Sequence, residues 1–311
     1  MKKYDLTVCV IGLGYIGLPT AALLASKGYT VHGVDVDTAV VDTINNGEIH
    51  ILEPDLASCV KEAVKSGKLQ AFSTPQKANI YIICVPTPIV RQKAVPKPNL
   101  EHVVSATDSI ISLVSEGDFI ILESTSPIGT TEIIKKMLLK QNIDISKVSI
   151  AYCPERVLPG NIMSELVNND RIIGGLDARS TDIIASFYET FVNGQVIKSS
   201  AKAAEICKLA ENSFRDVNIA FANELSKICE THDVDIWNLI ELANQHPRVN
   251  ILQPGIGVGG HCVAVDPWFL VSSDPKNAQI TRLAREINDS KPDWVIDKIM
   301  ARVNFLITKG V

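Results

Sequence analysis

The run Thr7-Val8-Cys9-Val10-Ile11-Gly12-Leu13-Gly14-Tyr15-Ile16-Gly17-Leu18-Pro19 decides the fold. Its first five residues are largely β-branched and read as a strand. Leu18 to Lys27 is rich in Ala and Leu and reads as a helix. Between them the glycines stand in the order G-x-G-x-x-G. The first makes the turn, the second admits a pyrophosphate, and the third lets helix and strand pack. The helix N-terminus offers free N–H groups and the positive end of its dipole to phosphate. A second strand, Thr30 to Val34, ends at Asp35, about twenty residues on, where an acid accepts ribose hydroxyls. Aspartate rather than arginine there favours NAD over NADP. A glycine triplet alone is weak evidence; in this context it is strong.

Outward from that turn the pattern continues. Helices are expected over Glu53 to Lys65, Leu100 to Val114, Thr130 to Lys140 and Thr181 to Phe191. Strands are expected over Ile80 to Val85, Phe119 to Glu123, Val148 to Cys153, Arg171 to Gly174 and Gln195 to Ile197. Strands alternating with helices predict an α/β fold, a Rossmann-like doubly wound parallel sheet, over residues 1–197. Ligands bind beyond the C-terminal ends of such strands. Pro86-Thr87, Thr125 and Pro154-Glu155-Arg156 all follow strand ends. Each alone is ordinary turn chemistry; three on one edge argue for a shared crevice.

Residues 198–311 read as an all-helical domain. Ser199 or Ser200 caps a helix running to about Thr231. Its apolar residues cover more than one face, as in a helix buried against a domain and a partner subunit. Lys208, Asn212 and Arg215 share a stripe. The plain alternative is that Lys208 pairs with Glu205 or Glu211 on a solvated face. A further helix spans Asp235 to Ala243. Another opens at Asp274-Pro275 and restarts at Ser290 before Pro292. Between these lie His246, Arg248 and the loop Gly255-Ile256-Gly257-Val258-Gly259-Gly260-His261-Cys262. The glycines repeat the dinucleotide spacing, but with neither a strand before them nor a helix opening after them. They read as a tight loop presenting the Cys262 thiol, against the alternative of a buried structural cysteine.

Composition limits the function classes. The chain has 311 residues, a formal net charge of -5 and 46% hydrophobic content, enough for two domains. The acidic balance argues against nucleic acid. No apolar run reaches the roughly 18 residues of a membrane span. The start, Met1-Lys2-Lys3-Tyr4-Asp5, lacks a signal-peptide cleavage site. Seven cysteines with no Cys-x-x-Cys pair read as reduced thiols in a cytoplasmic protein, and no His/Cys spacing suits a metal.

Five stretches carry a resemblance over almost the whole chain. They are Gly12 to Pro19, Glu123-Ser124-Thr125-Ser126-Pro127, Cys153-Pro154-Glu155-Arg156-Val157-Leu158-Pro159-Gly160, Lys208-Leu209-Ala210-Glu211-Asn212 and the loop around Cys262. The chain resembles the UDP-glucose/GDP-mannose dehydrogenase family. Within it, Pro154 to Gly160, Asn212 to Asn218 and His261 to Phe269 favour the branch acting on UDP-N-acetyl-D-mannosamine.

The resemblance implies a four-electron oxidation of a UDP-sugar C6 alcohol to a carboxylate, with NAD as cofactor. It assigns Cys262 as the nucleophile forming thiohemiacetal and thioester. Lys208 becomes base and oxyanion partner beside Asn212, and Asp266 positions water or lysine. Thr125 and Glu155 lie at the nicotinamide edge. Gly12, Gly14, Tyr15, Ile16, Gly17, Asp35, Pro86, Thr87 and Thr125 contact the cofactor. Arg156, Val157, Lys208, Asn212, Arg215, His246, Arg248 and Gly259 hold the sugar and diphosphate. A homodimer through the 199–231 helix is implied.

The chain departs from the pattern twice. Pro159 stands where UDP-glucose members carry a second glutamate. No segment supplies the third, UDP-binding domain, so the chain reads as a truncated chain or natural fragment that binds NAD and holds UDP-sugar poorly. Three rivals remain: UDP-N-acetylglucosamine or UDP-glucose as substrate; a two-electron hydroxyacid or 6-phosphogluconate-type enzyme, which needs no thiol; and an inactive NAD-binding dimer.

Overall fold

The computed structural model describes residues 6–90 and 95–309. The leading Met1–Asp5 and the closing 310–311 lie outside the described residues. In chain order the elements are β1 (Thr7–Ile11), α1 (Gly17–Ser26), β2 (Thr30–Val34), α2 (Thr38–Asn45), α3 (Leu56–Lys65), β3 (Leu69–Phe72), β4 (Ile80–Ile83), β5 (Ile89–Val90) and β6 (Lys97–Pro98). There follow α4 (Glu101–Ile111), β7 (Phe119–Leu122), α5 (Thr130–Lys140), β8 (Ser149–Tyr152), α6 (Ile162–Asn168), β9 (Arg171–Gly175), α7 (Ala178–Tyr188) and β10 (Val196–Ser200). The rest is helical: α8 (Ala201–Thr231), α9 (Ile236–Ala243), α10 (Asp266–Ser273) and α11 (Gln279–Thr308). Two compact units result. One comprises the described residues of Met1–Pro88 and Asn99–Lys208; the other, those of Ile89–Pro98 and Leu209–Val311.

The first unit is built on an eight-stranded sheet in the order β10-β9-β8-β7-β4-β1-β2-β3. Its inner strands are apolar on both faces, as a sheet covered by helices on each side demands, while the edge strands β3 and β10 expose Gln70 and Lys198. Side-chain alternation divides the core in two. Val8, Val10, Ile80 and Ile82 enter one cluster with Leu18, Leu24, Leu56, Val60 and Ile184. Cys9, Ile11, Tyr81 and Ile83 enter the other with Ile110, Ile134, Leu138 and Ala204.

Several details differ from the sequence expectation. The sheet is not parallel throughout: β9 runs antiparallel to β8, pairing Ala151 with Gly175 and Tyr152 with Gly174, and β10 follows β9 in parallel. Short α6 between β8 and β9 carries too little periodicity to announce the reversal. Elements α2, α6, β3 and the β5–β6 hairpin were not anticipated. Helix α7 begins at Ala178, because Asp177 accepts from Ser180 N and caps it there.

The second unit is helical, with the antiparallel β5–β6 pair added. The two compact units meet in sequence inside α8, after Lys208. Asp235 caps α9, accepting from Trp237 N and Asn238 N. Helix α11 opens at Gln279, not at Asp274, and continues through Pro292 instead of restarting at Ser290. Helix α10 does open after the glycine loop, six residues beyond Gly260, with Pro267 in its first turn. None of the seven cysteines forms a disulfide. No helix is long and apolar enough to cross a membrane among the described residues.

Candidate active site

The three glycines of the first turn have three different reasons. Gly12 adopts φ +90, and a Cβ there would lie 2.8 Å from the Cys84 carbonyl oxygen. A Cβ on Gly17 would lie 1.8 Å from the Gly12 carbonyl oxygen, so only glycine lets α1 pack on the turn. At Gly14 a Cβ would meet no protein atom within 4 Å. The open space in front of Gly14 is what a pyrophosphate needs. Helix α1 has no side-chain cap at Ile16; Leu18 N donates to the Gly14 carbonyl at 3.1 Å and Thr20 N to the Ile16 carbonyl at 3.0 Å, and the positive end of the helix dipole remains to favour phosphate. Tyr15 is exposed beside them. Asp35 Oδ2 accepts from Leu13 N at 2.9 Å and Oδ1 from Asp37 N at 3.0 Å. Each oxygen keeps a second lone pair for a ribose hydroxyl. The turn therefore fits NAD.

A buried polar cluster follows the ends of β4, β7 and β8. Tyr188 OH donates to Glu123 Oε1 at 2.6 Å, and the Cys84 thiol donates to Oε2 at 3.3 Å. Glu155 pairs with Arg171, whose guanidinium is 5.7 Å from the Tyr188 ring centroid. Arg156 N donates to Glu155 Oε1 at 2.7 Å. Burial pushes the Glu123 carboxyl up; Arg171 opposes the shift and Glu155 adds to it. Burial also drives the Cys84 thiol well up, and the Cys153 thiol up to about 12. Thr87 Oγ1 donates to the Thr125 carbonyl at 2.6 Å, tying two of the expected strand-end residues together, while Pro86 is exposed.

The turn from Pro154 to Gly160 is held by two carboxylates. Glu53 accepts from Gly160 N at 2.8 Å and Ile162 N at 2.7 Å, and Glu165 from Leu158 N at 2.9 Å. Arg156 Nη2 donates to the Asp170 carbonyl, and half-buried Val157 packs on the core.

Two residues three apart on α8 address this unit. Lys208 is buried, and its Nζ donates to the Glu155 main-chain carbonyl at 2.7 Å. Glu205 is not the partner of Lys208. Its carboxylate caps α5, accepting from Gly129 N at 2.6 Å, Thr131 N at 2.9 Å and Thr131 Oγ1 at 2.7 Å. Thus Glu205 anchors the far end of the loop that carries Thr125.

In the second unit Asn212 Nδ2 donates to Asp266 Oδ2, joining two expected site residues. Arg215 is exposed, as are Gly259 and Cys262. The exposure of Cys262 overturns the buried-cysteine alternative. The Cys262 carbonyl accepts from Val265 N at 2.9 Å and Asp266 N at 2.8 Å, which fixes the cysteine just ahead of α10. Gly260 takes φ +89 two residues earlier, a turn open to glycine. His246 and Arg248 are exposed in one turn, where Arg248 N donates to His246 Nδ1 at 3.3 Å.

Sequence reading missed Glu53, Glu123, Arg171, Tyr188, Glu205, Asp216, Asn223 and Asn288. Glu123 and Asp216 lie in stretches that carry the resemblance, and Glu205 stands three residues before Lys208, but none of the three has a role assigned from the sequence. The others are polar groups whose burial no local pattern announces.

Known proteins resemble this chain along its length. Residues 6–192 match the NAD binding domain of the UDP-glucose/GDP-mannose dehydrogenase family, and residues 202–290 match its central domain. A UDP-N-acetyl-D-mannosamine dehydrogenase of Escherichia coli (strain K12) is 53% identical over 306 residues, which cover 96% of this chain and 72% of that protein. An NDP-N-acetyl-D-galactosaminuronic acid dehydrogenase of Ralstonia nicotianae is 51% identical, covering 94% of this chain and 71% of its own length. A solved structure, the UDP-D-ManNAc dehydrogenase of Pyrococcus horikoshii, superposes with a TM-score of 0.90 at 39% identity, covering 97% of this chain and 72% of that one. With its NAD-binding glycine turn, this chain belongs to the UDP-glucose/GDP-mannose dehydrogenase family of NAD-dependent oxidoreductases.

Proposed function

We propose that the protein oxidises the C6 alcohol of UDP-N-acetyl-D-mannosamine to the carboxylate. The observation that carries this reading is the 53% identity, over nearly the whole chain, to the Escherichia coli enzyme of that name. NAD, when bound, supplies the acceptor for the two hydrides that conversion of an alcohol to an acid releases.

The chain's own residues supply the rest. Gly12, Gly14, Tyr15, Ile16, Gly17 and Asp35 hold the cofactor, with Pro86, Thr87 and Thr125 along the strand ends. Lys208 takes the alcohol proton and, with Asn212, steadies oxyanions at C6. Cys262 adds to the aldehyde: a C–S bond forms and the carbonyl electron pair moves to oxygen, giving a thiohemiacetal that cannot diffuse away. At the thioester level of oxidation a water, aligned by Asp266, adds to the carbonyl and Cys262 leaves as thiolate. Arg156, Val157, Arg215, His246, Arg248 and Gly259 bind sugar and diphosphate. Glu155 acts through its backbone carbonyl on Lys208, its carboxylate being committed to Arg171.

A homodimer is part of this proposal. Phe214, Phe221 and Ile228 are exposed on α8 and spaced by seven residues, so they form one apolar stripe two turns per step. Sedimentation should give a dimer, and F221D should shift it to monomer; an unchanged dimer would reject α8 as the interface.

The substrate is tested by turnover of UDP-N-acetylmannosamine, its N-acetylglucosamine and N-acetylgalactosamine counterparts, and UDP-glucose. Two NADH per acid, fastest with the mannosamine sugar, is the expected result. The Ralstonia nicotianae relative, at 51% identity, supports the galacto-configured sugar as second reading. Faster oxidation of that sugar would replace the first.

A further inference from the structure

A chain of buried hydrogen bonds in the second unit ends on the cysteine loop. It starts at an ion pair: Arg285 Nη1 donates to Asp216 Oδ1 at 2.6 Å, with both side chains fully buried. Asn288 Nδ2 donates to the same Oδ1 at 2.8 Å and to the Asp216 carbonyl at 3.0 Å. Asn223 Nδ2 donates to Asn288 Oδ1 at 2.8 Å, and Asn223 Oδ1 accepts from Gly255 N at 2.9 Å.

The orientation of each amide is forced. Asp216 presents only acceptors, so Asn288 must turn its NH2 toward it and its oxygen toward Asn223. That oxygen requires the NH2 of Asn223, which leaves the Asn223 oxygen for Gly255. The ion pair thus decides, two amides away, that the first residue of the loop meets an acceptor. Asn223 and Asn288 are 0% and 1% exposed, so no water competes.

A second anchor lies two residues on. A Cβ at Gly257 would stand 3.0 Å from Pro292 Cγ and 3.6 Å from the Asn288 carbonyl oxygen. Pro292 lacks the N–H that a helix would return to that carbonyl. The close approach of Gly257 is made to the turn of α11 that already carries Asn288.

We infer that Asn223 is a positioning residue: oriented by Asp216, Arg285 and Asn288, it holds the N-terminal arm of the Gly255–Cys262 loop and so sets the delivery of the Cys262 thiol. The inference rests on Cys262 being the nucleophile. Asn223 contacts the loop backbone only and touches no reacting atom.

The test uses the whole chain. N223A should speed amide exchange over Gly255–Cys262 by about tenfold or more relative to wild type, the effect of losing one buried backbone partner. It should also lower kcat by about tenfold with KM for UDP-sugar held within about threefold, as for loss of an interaction that matters after binding. N223D keeps the acceptor for Gly255 but turns a second oxygen on Asn288. Its deficit should therefore shrink as pH falls and that carboxyl gains a proton to donate. This pH-dependent recovery separates positioning from a general loss of packing. Loop exchange unchanged in N223A, or an N223D deficit independent of pH, would overturn the inference. Failure of the parent reading shows differently: C262S would still form acid at the wild-type rate, whatever the exchange data for N223A.

Discussion

Lys208 Nζ donates to the main-chain carbonyl of Glu155 at 2.7 Å, while the Glu155 carboxylate pairs with Arg171. One residue thus serves two cations through two different groups. The arginine is 2% exposed, and its ion pair holds the Glu155 carboxylate. The backbone carbonyl gives the lysine an acceptor without neutralising it. The expected outcome of K208M is a loss of turnover of roughly 10²–10⁴-fold, the range for a missing general base, with a stability loss of about 1–3 kcal/mol from the unpaired Glu155 carbonyl. By contrast, E155Q leaves the buried Arg171 guanidinium without its counter-charge and should cost roughly 3–5 kcal/mol in urea unfolding.

Gly14 and Gly17 separate binding from folding. A methyl at Gly14 meets no protein atom within 4 Å, so G14A should fold with a stability change of about 1 kcal/mol or less and lose NAD binding by calorimetry. A methyl at Gly17 would overlap the Gly12 carbonyl at 1.8 Å, so G17A should unfold at lower urea and bind little NAD for that reason.

Thiol chemistry should rank the cysteines. Cys262 is exposed, whereas burial pushes Cys9 up to about 11 and Cys153 up to about 12, and raises Cys84 well above the ordinary thiol value. Thiolate is the reactive form. Iodoacetamide at neutral pH should label Cys262 first, with Cys9, Cys84 and Cys153 at least about 100-fold slower until the chain unfolds. Peptide mapping of timed samples checks the order; early labelling of Cys84 or Cys153 would contradict the burial described here.

Acid stability should report on His32. This ring packs edge-to-face on Phe72 at 5.3 Å, and burial holds its pKa below the ordinary 6.5. The unfolded chain therefore binds a proton before the folded one does. Stability is full above the unfolded value and falls as pH drops from 6.5 toward the lower folded value. Urea unfolding at a series of pH values should show a shallower acid decline in H32Q than in wild type. Parallel curves would mean that the ring titrates normally.

The buried polar groups explain where sequence reading stopped. Asp216 and Arg285 stand 69 residues apart and Asn223 and Asn288 stand 65 apart, so no window on the chain holds both partners. Glu205 and Lys208 are helical neighbours, which makes an ion pair between them the simple expectation. The Glu205 carboxylate instead found the unsatisfied N–H groups of α5, 74 residues away at Thr131. A helix end is a stronger attractor for a buried carboxylate than a lysine that has its own acceptor.

What the chain alone determined is what depends on neighbours in sequence. The glycine turn between β1 and α1, the acid at Asp35 and the alternation of β and α segments follow from backbone sterics and side-chain periodicity within a few residues. So does the exposed glycine loop before Cys262. Tertiary structure decided the reversal of β9 against β8, the continuity of α11 through Pro292, and the partners of every buried charge. Those outcomes depend on which desolvated groups meet across the core, and a lone polar group there costs too much to leave unpaired.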